Sequence, residues 1–161
     1  MTAASGSFIT GGGEMGTLTR NFDWARTPVG PAESWPQNLR TALSILLDSR
    51  YAMYLAWGPT FVEFYNDAFR PILGAKHPGA LGSSSIDTWS EIWPDFVGPL
   101  FLKVRAQGEA TSLENTLVVL NRFGYLEECY FTFCYSPVRD ESGTVAGVLV
   151  TCMETSARVR Q

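Results

Sequence analysis

The feature that most constrains the fold is a pair of apolar segments, 125–139 and 144–154, separated by a short polar turn. The turn, Asp140-Glu141-Ser142-Gly143, has the length and composition of a hairpin loop. Successive side chains on a strand point to opposite faces, and both sets are largely apolar here. A strand in a sheet with one solvent-exposed face alternates more regularly between apolar and polar residues. We therefore expect an antiparallel hairpin covered by central helices on one face and by an N-terminal helix or a second subunit on the other.

The register of this hairpin can be counted from the turn. A four-residue loop pairs Arg139 with Thr144. Facing residues then share one side of the sheet. The predicted pairs are Phe131 with Cys152, Phe133 with Val150, and Tyr135 with Val148.

Three further segments, 51–57, 61–65 and 112–120, have the composition of strands. Gly58-Pro59 lies between the first two and predicts a tight turn. The chain is therefore expected to contain five strands in two groups.

Helical patterns lie before and between these strands. Apolar residues recur at helical spacing over 35–49, after a capping-box match at Ser34 and Gln37. Asn66 or Asp67 is a suitable N-cap for a second helix. This second helix is predicted to end near Leu73. Two more helices are predicted over 86–93 and 94–107.

The length of 161 residues fits one domain with short extensions. Residues 1–20 are rich in Gly, Ser and Thr, and we expect a flexible tail there. Residues 21–50 form a lead-in and a cap helix, 51–155 form the core, and 156–161 begin a C-terminal linker.

Charge and cysteine usage restrict the partners and the compartment. The net charge is −4 and the basic residues are scattered, which disfavours a nucleic-acid partner. Three cysteines, Cys129, Cys134 and Cys152, do not form a disulfide framework and indicate reduced thiols in the cytoplasm. The apolar run 42–47 is too short to span a bilayer, so no membrane contact by this chain is expected.

Short motifs at the joints of this α+β pattern are similar to those of a known family. They are Phe64-Tyr65-Asn66-Asp67-Ala68-Phe69, Leu81-Gly82, Pro94-Asp95, Ser136-Pro137-Val138-Arg139-Asp140 with Ser142-Gly143, Gly147-Val148, and Met153-Glu154-Thr155. In this order, from about Tyr51 to Thr155, the chain resembles the PAS family. The lead-in with Trp24 and Trp35 is similar to one found in some bacterial sensor histidine kinases with PAS domains.

The resemblance implies a five-stranded antiparallel sheet with short helices on one face, a pocket between them and an N-terminal cap helix. It also implies a sensory or regulatory module that responds to a small apolar ligand or a partner. The signal is expected to leave through Glu154 and Thr155 toward a signalling helix and a downstream effector, with a histidine kinase as the expected type. Glu154 replaces the Asp most often found in that motif and keeps a carboxylate.

Two sets of residues are candidates for binding surfaces. An apolar second sheet face suggests a homodimer in which Ala42, Leu43 and Leu46 of the cap helix take part. The candidate pocket residues can instead simply fill the core, because close packing is the default state of interiors. They are Trp89, Trp93, Phe96, Leu100, Phe131, Phe133 and Tyr135.

The sequence offers little for cofactor chemistry. Haem needs an axial ligand, often a His on the long helix, but 94–107 contains none and His77 lies in a predicted loop. A lone His also argues against a zinc site. Covalent flavin photochemistry needs a Cys in the region 86–93, which has none. Haem and photoactive covalent flavin are therefore disfavoured, and no metal site or catalytic residue is predicted.

The alternative class is a small cone-shaped α+β enzyme that acts on an apolar substrate with a carboxylate base. A buried carboxylate with a raised pKa in the pocket would distinguish it. The nearest candidates are Asp87, Glu91 and Asp95, although helix capping also explains them. Glu127 and Glu128 point to opposite faces of a strand, so they cannot act as one acid/base pair.

Overall fold

A computed structural model describes residues 7–159 of the chain. Five strands form one sheet in the order β2-β1-β5-β4-β3, and every neighbouring pair is antiparallel. The strands are β1 Met53–Trp57, β2 Val62–Tyr65, β3 Thr111–Leu120, β4 Glu127–Arg139 and β5 Val145–Glu154. The predicted five-stranded antiparallel α+β fold is confirmed.

Short helices lie before, between and after the strands. They are α1 Gly13–Asn21, α2 Gln37–Asp48, α3 Arg70–Leu73, α4 Ser85–Thr88, α5 Gly98–Gln107 and α6 Ser156–Val159. Single 3₁₀ turns occur at Trp24–Arg26, Ala32–Ser34, Asp67–Phe69 and Gly74–Lys76, and a π-helical turn covers Trp93–Val97.

The register of the β4–β5 hairpin differs from the predicted one by two residues. Arg139 pairs with Val145, so the loop holds five residues instead of four. An irregularity between Val138 and Arg139 accounts for the second residue of the shift. A shift of two keeps every side chain on its predicted face. The observed pairs are Phe131 with Glu154, Phe133 with Cys152, and Tyr135 with Val150.

The expectation of a flexible tail over 1–20 is wrong for residues 13–20, which lie in α1. The Asp67 carboxylate accepts the backbone N–H groups of Glu14 (3.2 Å) and Met15 (2.9 Å) at the start of this helix. Gly16 permits a close approach, since a Cβ there would lie 1.9 Å from the carbonyl oxygen of Gly11. Glycine here serves tight packing, and the capping group is too distant in sequence to be recognised.

The N-terminal segment covers part of the outer face of the sheet, the face opposite α3–α5. The rings of Trp24 and Trp35 lie 4.7 and 5.5 Å from that of Phe64 on β2. The Asn38 side chain of α2 donates to the carbonyl oxygen of Arg139 at the end of β4 (2.7 Å). The predicted covering of the second sheet face by an N-terminal helix is therefore observed.

The three residues predicted for a dimer surface lie in the core of the chain itself. Ala42, Leu43 and Leu46 are 9%, 1% and 0% exposed. They face the sheet because the apolar stripe of α2 is the stripe that covers it. The prediction that they form an intersubunit surface is therefore wrong.

Asn66 joins three elements and confirms the predicted helix cap. Its side-chain oxygen accepts the backbone N–H groups of Met53 and Phe69, both at 3.1 Å. Its amide nitrogen donates to the carbonyl oxygens of Leu46 (3.0 Å) and Tyr51 (2.8 Å). One buried side chain thus fixes the end of α2, the start of β1 and the turn before α3.

Candidate functional site

A cavity of about 60 Å³ lies between the inner face of the sheet and the helices α3–α5. Its walls are almost entirely aromatic and aliphatic side chains. Five of the seven predicted pocket residues line it: Trp89, Phe96, Phe131, Phe133 and Tyr135. The cavity is small beside the roughly 300–1,000 Å³ of typical ligand pockets. The lining residues therefore fill most of the core and leave a small space between them.

Trp93 and Leu100 do not line the cavity. The Trp93 ring packs against the rings of Phe61 at 5.5 Å and Phe101 at 5.8 Å. The reason is the π-helical turn, in which the Val97 N–H donates to the Ile92 carbonyl oxygen (2.9 Å). This turn holds more residues than an α-helical one, so the α-helical spacing predicted from residue 94 onward does not apply across it.

Tyr135 lines this apolar space and carries a hydroxyl group. The residue is 6% exposed, and its ring lies 5.1 Å from Phe101 and 4.8 Å from Phe133. Burial raises the pKa of Tyr135 well above its ordinary value, so the group is a neutral donor. Within residues 7–157, its hydroxyl makes no hydrogen bond.

Cys152 also lines the cavity, and its thiol is not activated. Burial, with a smaller contribution from the Glu154 carboxylate, raises the pKa of Cys152 to about 12. A thiolate is the reactive form, so this environment opposes covalent attachment. Cys129, on β4, is fully buried on the same face of the sheet, as predicted for a packed small side chain.

A buried carboxylate that sequence reasoning missed lies behind the Tyr54 wall. Glu63 on β2 is 0% exposed, and its two oxygens contact the hydroxyl groups of Tyr54 and Thr88. Tyr54 also contacts the Ser85 hydroxyl and accepts from the Trp89 ring N–H (3.2 Å). Burial raises the pKa of Glu63 to about 8, against the lowering effect of these hydrogen bonds. Glu63 does not line the cavity.

One signal in the sequence could have indicated Glu63. It is the single charged residue of a short strand whose neighbours Val62 and Phe64 are apolar, in a sheet predicted to be covered on both faces. A charged side chain is rarely buried without a partner or a change in its protonation state.

The carboxylates proposed for the enzyme alternative do not meet at the cavity. Asp87 and Asp95 are exposed. Glu91 forms an ion pair with Lys76 at 3.1 Å and accepts the backbone N–H of Asn121 at 2.8 Å. These contacts assign Glu91 to bridging two loops.

A second buried ionisable residue, Arg122, lies between the cavity wall and the C-terminus. The Arg122 side chain is 7% exposed and forms ion pairs with Glu127 and Glu154, each at 2.9 Å. It also donates to the carbonyl oxygen of Pro71 in α3 (3.1 Å). Its carboxylate partners raise the pKa of Arg122 further, so it stays charged. The sequence did not predict this cluster, because its basic residues are scattered along the chain.

The predicted relay residues contact both the sheet and the helix that follows. Glu154 accepts a hydrogen bond from the Ser156 hydroxyl of α6 (2.8 Å), and that hydroxyl accepts the Tyr130 backbone N–H (3.0 Å). The Thr155 backbone N–H donates to the Tyr130 carbonyl oxygen (2.7 Å). The end of the sheet is therefore joined to α6 through polar contacts.

His77 lies outside the cavity wall, with its Nδ1 atom 2.8 Å from the Tyr65 hydroxyl oxygen. Partial burial lowers its pKa. Across the described residues, no three His, Cys, Asp or Glu side chains are grouped as metal ligands require. Within the same part of the chain, no helix combines the length and apolar character needed to cross a membrane.

The family model described as PAS fold matches residues 60–160, which is more than half of the chain. The chain therefore belongs to the PAS family, whose members are sensory modules in signal transduction, and it resembles the sensor domains of bacteria. No curated protein matches it.

Solved structures of low sequence identity share the fold. The LOV protein of Rhodobacter sphaeroides has a TM-score of 0.57 at 12% identity, over 76% of this chain and 73% of its own. A sensory box sensor histidine kinase from Vibrio cholerae has a TM-score of 0.50 at 18% identity, over 73% and 93%. An RNA-binding Light-Oxygen-Voltage receptor has a TM-score of 0.54 at 22% identity over 75% of this chain, which spans only 32% of that receptor.

Proposed function

We propose that this chain is the input module of a signalling protein, in which a small uncharged ligand enters the cavity and shifts the helices against the sheet. The observation that carries the proposal is the apolar cavity, whose walls come from both layers. Membership of the PAS family supports a sensory role. A ligand produces such a shift only if it binds one packing of the domain better than another.

The chemistry of the walls favours one class of ligand. Within the described part of the chain, no Asp, Glu, Lys or Arg side chain lines the cavity. Tyr135 contributes a neutral hydroxyl-bearing side chain to the walls, so we expect an apolar molecule with one hydrogen-bond acceptor. A cavity of roughly 150 Å³ is known to hold benzene. The space of about 60 Å³ must therefore widen on binding, and that widening is the conformational change in this proposal.

The Arg122 contacts supply a route from the cavity to the C-terminus. Ile72 of α3 lines the cavity, and the neighbouring Pro71 carbonyl oxygen accepts from Arg122. Arg122 in turn pairs with Glu154, which bonds Ser156 of α6. Displacement of α3 by a ligand changes the position of Arg122 and thereby the anchoring of α6.

The wider setting follows the sequence-based expectations. We propose a downstream effector of the histidine kinase type, a cytoplasmic location and no catalytic activity of this chain itself. For a homodimer we propose the outer sheet face instead of α2, because Leu117, Val119 and Met153 are 46%, 38% and 50% exposed there. Haem, covalent flavin and nucleic acid stay disfavoured as predictions.

Native mass spectrometry of the purified chain tests the ligand proposal. We expect a low-mass adduct on the wild type, or one formed by small neutral ketones and not by the corresponding carboxylates. Val150→Phe fills the cavity from β5 and should abolish the adduct, whereas Leu149→Phe, on the opposite sheet face, should keep it. An adduct that survives Val150→Phe in a folded chain, or no neutral adduct on the wild type, contradicts the proposal.

A further inference from the structure

The contacts around Glu63 form a closed network in which hydrogen-bond protons can be counted. Five contacts join six groups from β1, β2, α4 and the residues next to β2 and α4. They are Glu63 with Tyr54, Glu63 with Thr88, Tyr54 with Ser85, Tyr54 with Trp89, and Ser85 with the Phe61 carbonyl oxygen. Each contact needs one proton between its two atoms.

Four of the five protons have an evident source. Trp89 donates to the Tyr54 oxygen, Thr88 donates to Glu63, and Ser85 donates to the carbonyl oxygen of Phe61 at 2.8 Å. Because the Ser85 hydroxyl has only one proton, Tyr54 must supply the proton of the Tyr54–Ser85 contact. The proton between Glu63 and Tyr54 can then come only from Glu63.

From this count we propose that Glu63 is held as a neutral carboxylic acid, whose proton directs the Tyr54 hydroxyl away from the cavity. In this state Tyr54 accepts from Glu63 and Trp89 and donates to Ser85, so its hydrogen-bonding capacity is used. An ionised Glu63 leaves four protons for five contacts, and one contact is lost. Glu63 is thus a positioning residue that fixes the uncharged character of the Tyr54 wall.

The surroundings of Glu63 agree with a neutral group. The titratable groups facing it are Tyr54 on β1, Tyr65 on β2, Lys76 in the loop after α3 and Asp87 in α4. Lys76 favours the ionised form and Asp87 opposes it, while burial is the largest influence and raises the pKa of Glu63. Lys76 forms its ion pair with Glu91 at 3.1 Å and does not pair with Glu63.

Infrared spectroscopy of the wild type and Glu63→Gln tests the protonation state directly. Gln supplies an N–H donor and cannot ionise. At pH 6 we expect the wild type to show a C=O stretch of a protonated carboxyl group that Glu63→Gln lacks and the control Glu91→Gln retains. The band should disappear as the pH rises through about 8. Its absence at pH 6 overturns the proposal. If Glu63→Gln does not fold, ¹³C-glutamate labelling of the wild type must shift the band.

Stability gives a second readout with a fixed sign. A carboxyl group whose pKa rises from 4.5 to about 8 on folding binds more protons in the folded state between these values. The free energy of unfolding of the wild type should therefore fall as the pH rises from about 4.5 to about 8. Glu63→Gln should remove that part of the slope, and parallel slopes for the two chains overturn the proposal. The role of Glu63 in shaping the cavity for a ligand rests on the proposed function. These two measurements need no ligand, so they test the neutral state of Glu63 alone.

Discussion

Glu63 and Arg122 are both buried ionisable residues, and they are accommodated in opposite ways. Glu63 contacts the hydroxyl groups of Tyr54 and Thr88, and the structure supports its neutral form. Arg122 keeps its charge because two carboxylates and a carbonyl oxygen surround it. A guanidinium group cannot lose its proton in a protein, so pairing is the remaining solution. Acidic and basic residues buried to the same degree thus require different neighbours.

The difference also separates two tasks in the proposed mechanism. The neutral Glu63 network fixes a cavity wall without adding charge to it. The Arg122 cluster joins α3, the β3–β4 connection and α6, and its carboxylate partners are still 26% and 30% exposed. The partly exposed carboxylates of the Arg122 cluster can exchange hydrogen-bond partners with solvent more readily than the buried groups of the Glu63 network can.

A buried charge that is neither neutralised nor paired should have the largest effect on stability. Leu46 of α2 is 0% exposed, and Leu46→Glu places a carboxylate against the sheet without donors arranged for it. We expect a loss of more than about 4 kcal/mol of unfolding free energy, which unfolds a domain of ordinary stability. Denaturant titration checks this, with Ile45→Glu (59% exposed at present) as the nearly neutral control. A folded, stable Leu46→Glu chain contradicts the packing of α2.

Removal of the Arg122 charge should cause the second-largest loss of stability. Arg122→Leu removes the guanidinium group that lies between Glu127 and Glu154, and it frees the Pro71 carbonyl oxygen. Breaking a buried pair costs about 3 kcal/mol, and the partial exposure of the carboxylates places this case at the lower end. The matched control Arg70→Leu breaks a more exposed pair with Glu14 and should cost less than about 1 kcal/mol. Equal losses in chemical denaturation contradict the special position of Arg122.

Truncation of the neutral acid should have a smaller effect. Glu63→Leu leaves the Thr88 hydroxyl without its partner, at a cost of about 1–3 kcal/mol. Thr88→Val in the same chain removes that hydroxyl, so the double variant should lose less than the sum of the two single variants. Additive losses in a double-mutant cycle show that the two groups do not act as one network.

The sequence predicted the elements of the fold better than the details of the site. Periodicity and turn residues gave the five strands and the Asn66 cap, because these depend on neighbouring residues. The hairpin register and Trp93 were misplaced by an extra loop residue, an irregularity and a π turn, none of which alters composition. Arg122 meets Glu154 across 32 residues, a distance at which no local pattern signals a contact.

Removal of the Asp67 cap of α1 should have the smallest effect on stability, because this carboxylate lies at the surface. The exposed Asp67 carboxylate accepts the N–H groups of Glu14 and Met15 and faces the positive end of a nine-residue helix. Asp67→Ala should cost about 1 kcal/mol, as expected for the loss of an N-cap. Hydrogen exchange should then be faster in α1 and unchanged in β4 and β5, because α1 lies at the periphery of the sheet. Asp23→Ala removes a carboxylate from an exposed pair with Arg26 and should change neither measurement. Protection of α1 that persists in Asp67→Ala indicates that the buried Met15 and Thr19 hold this helix without the cap.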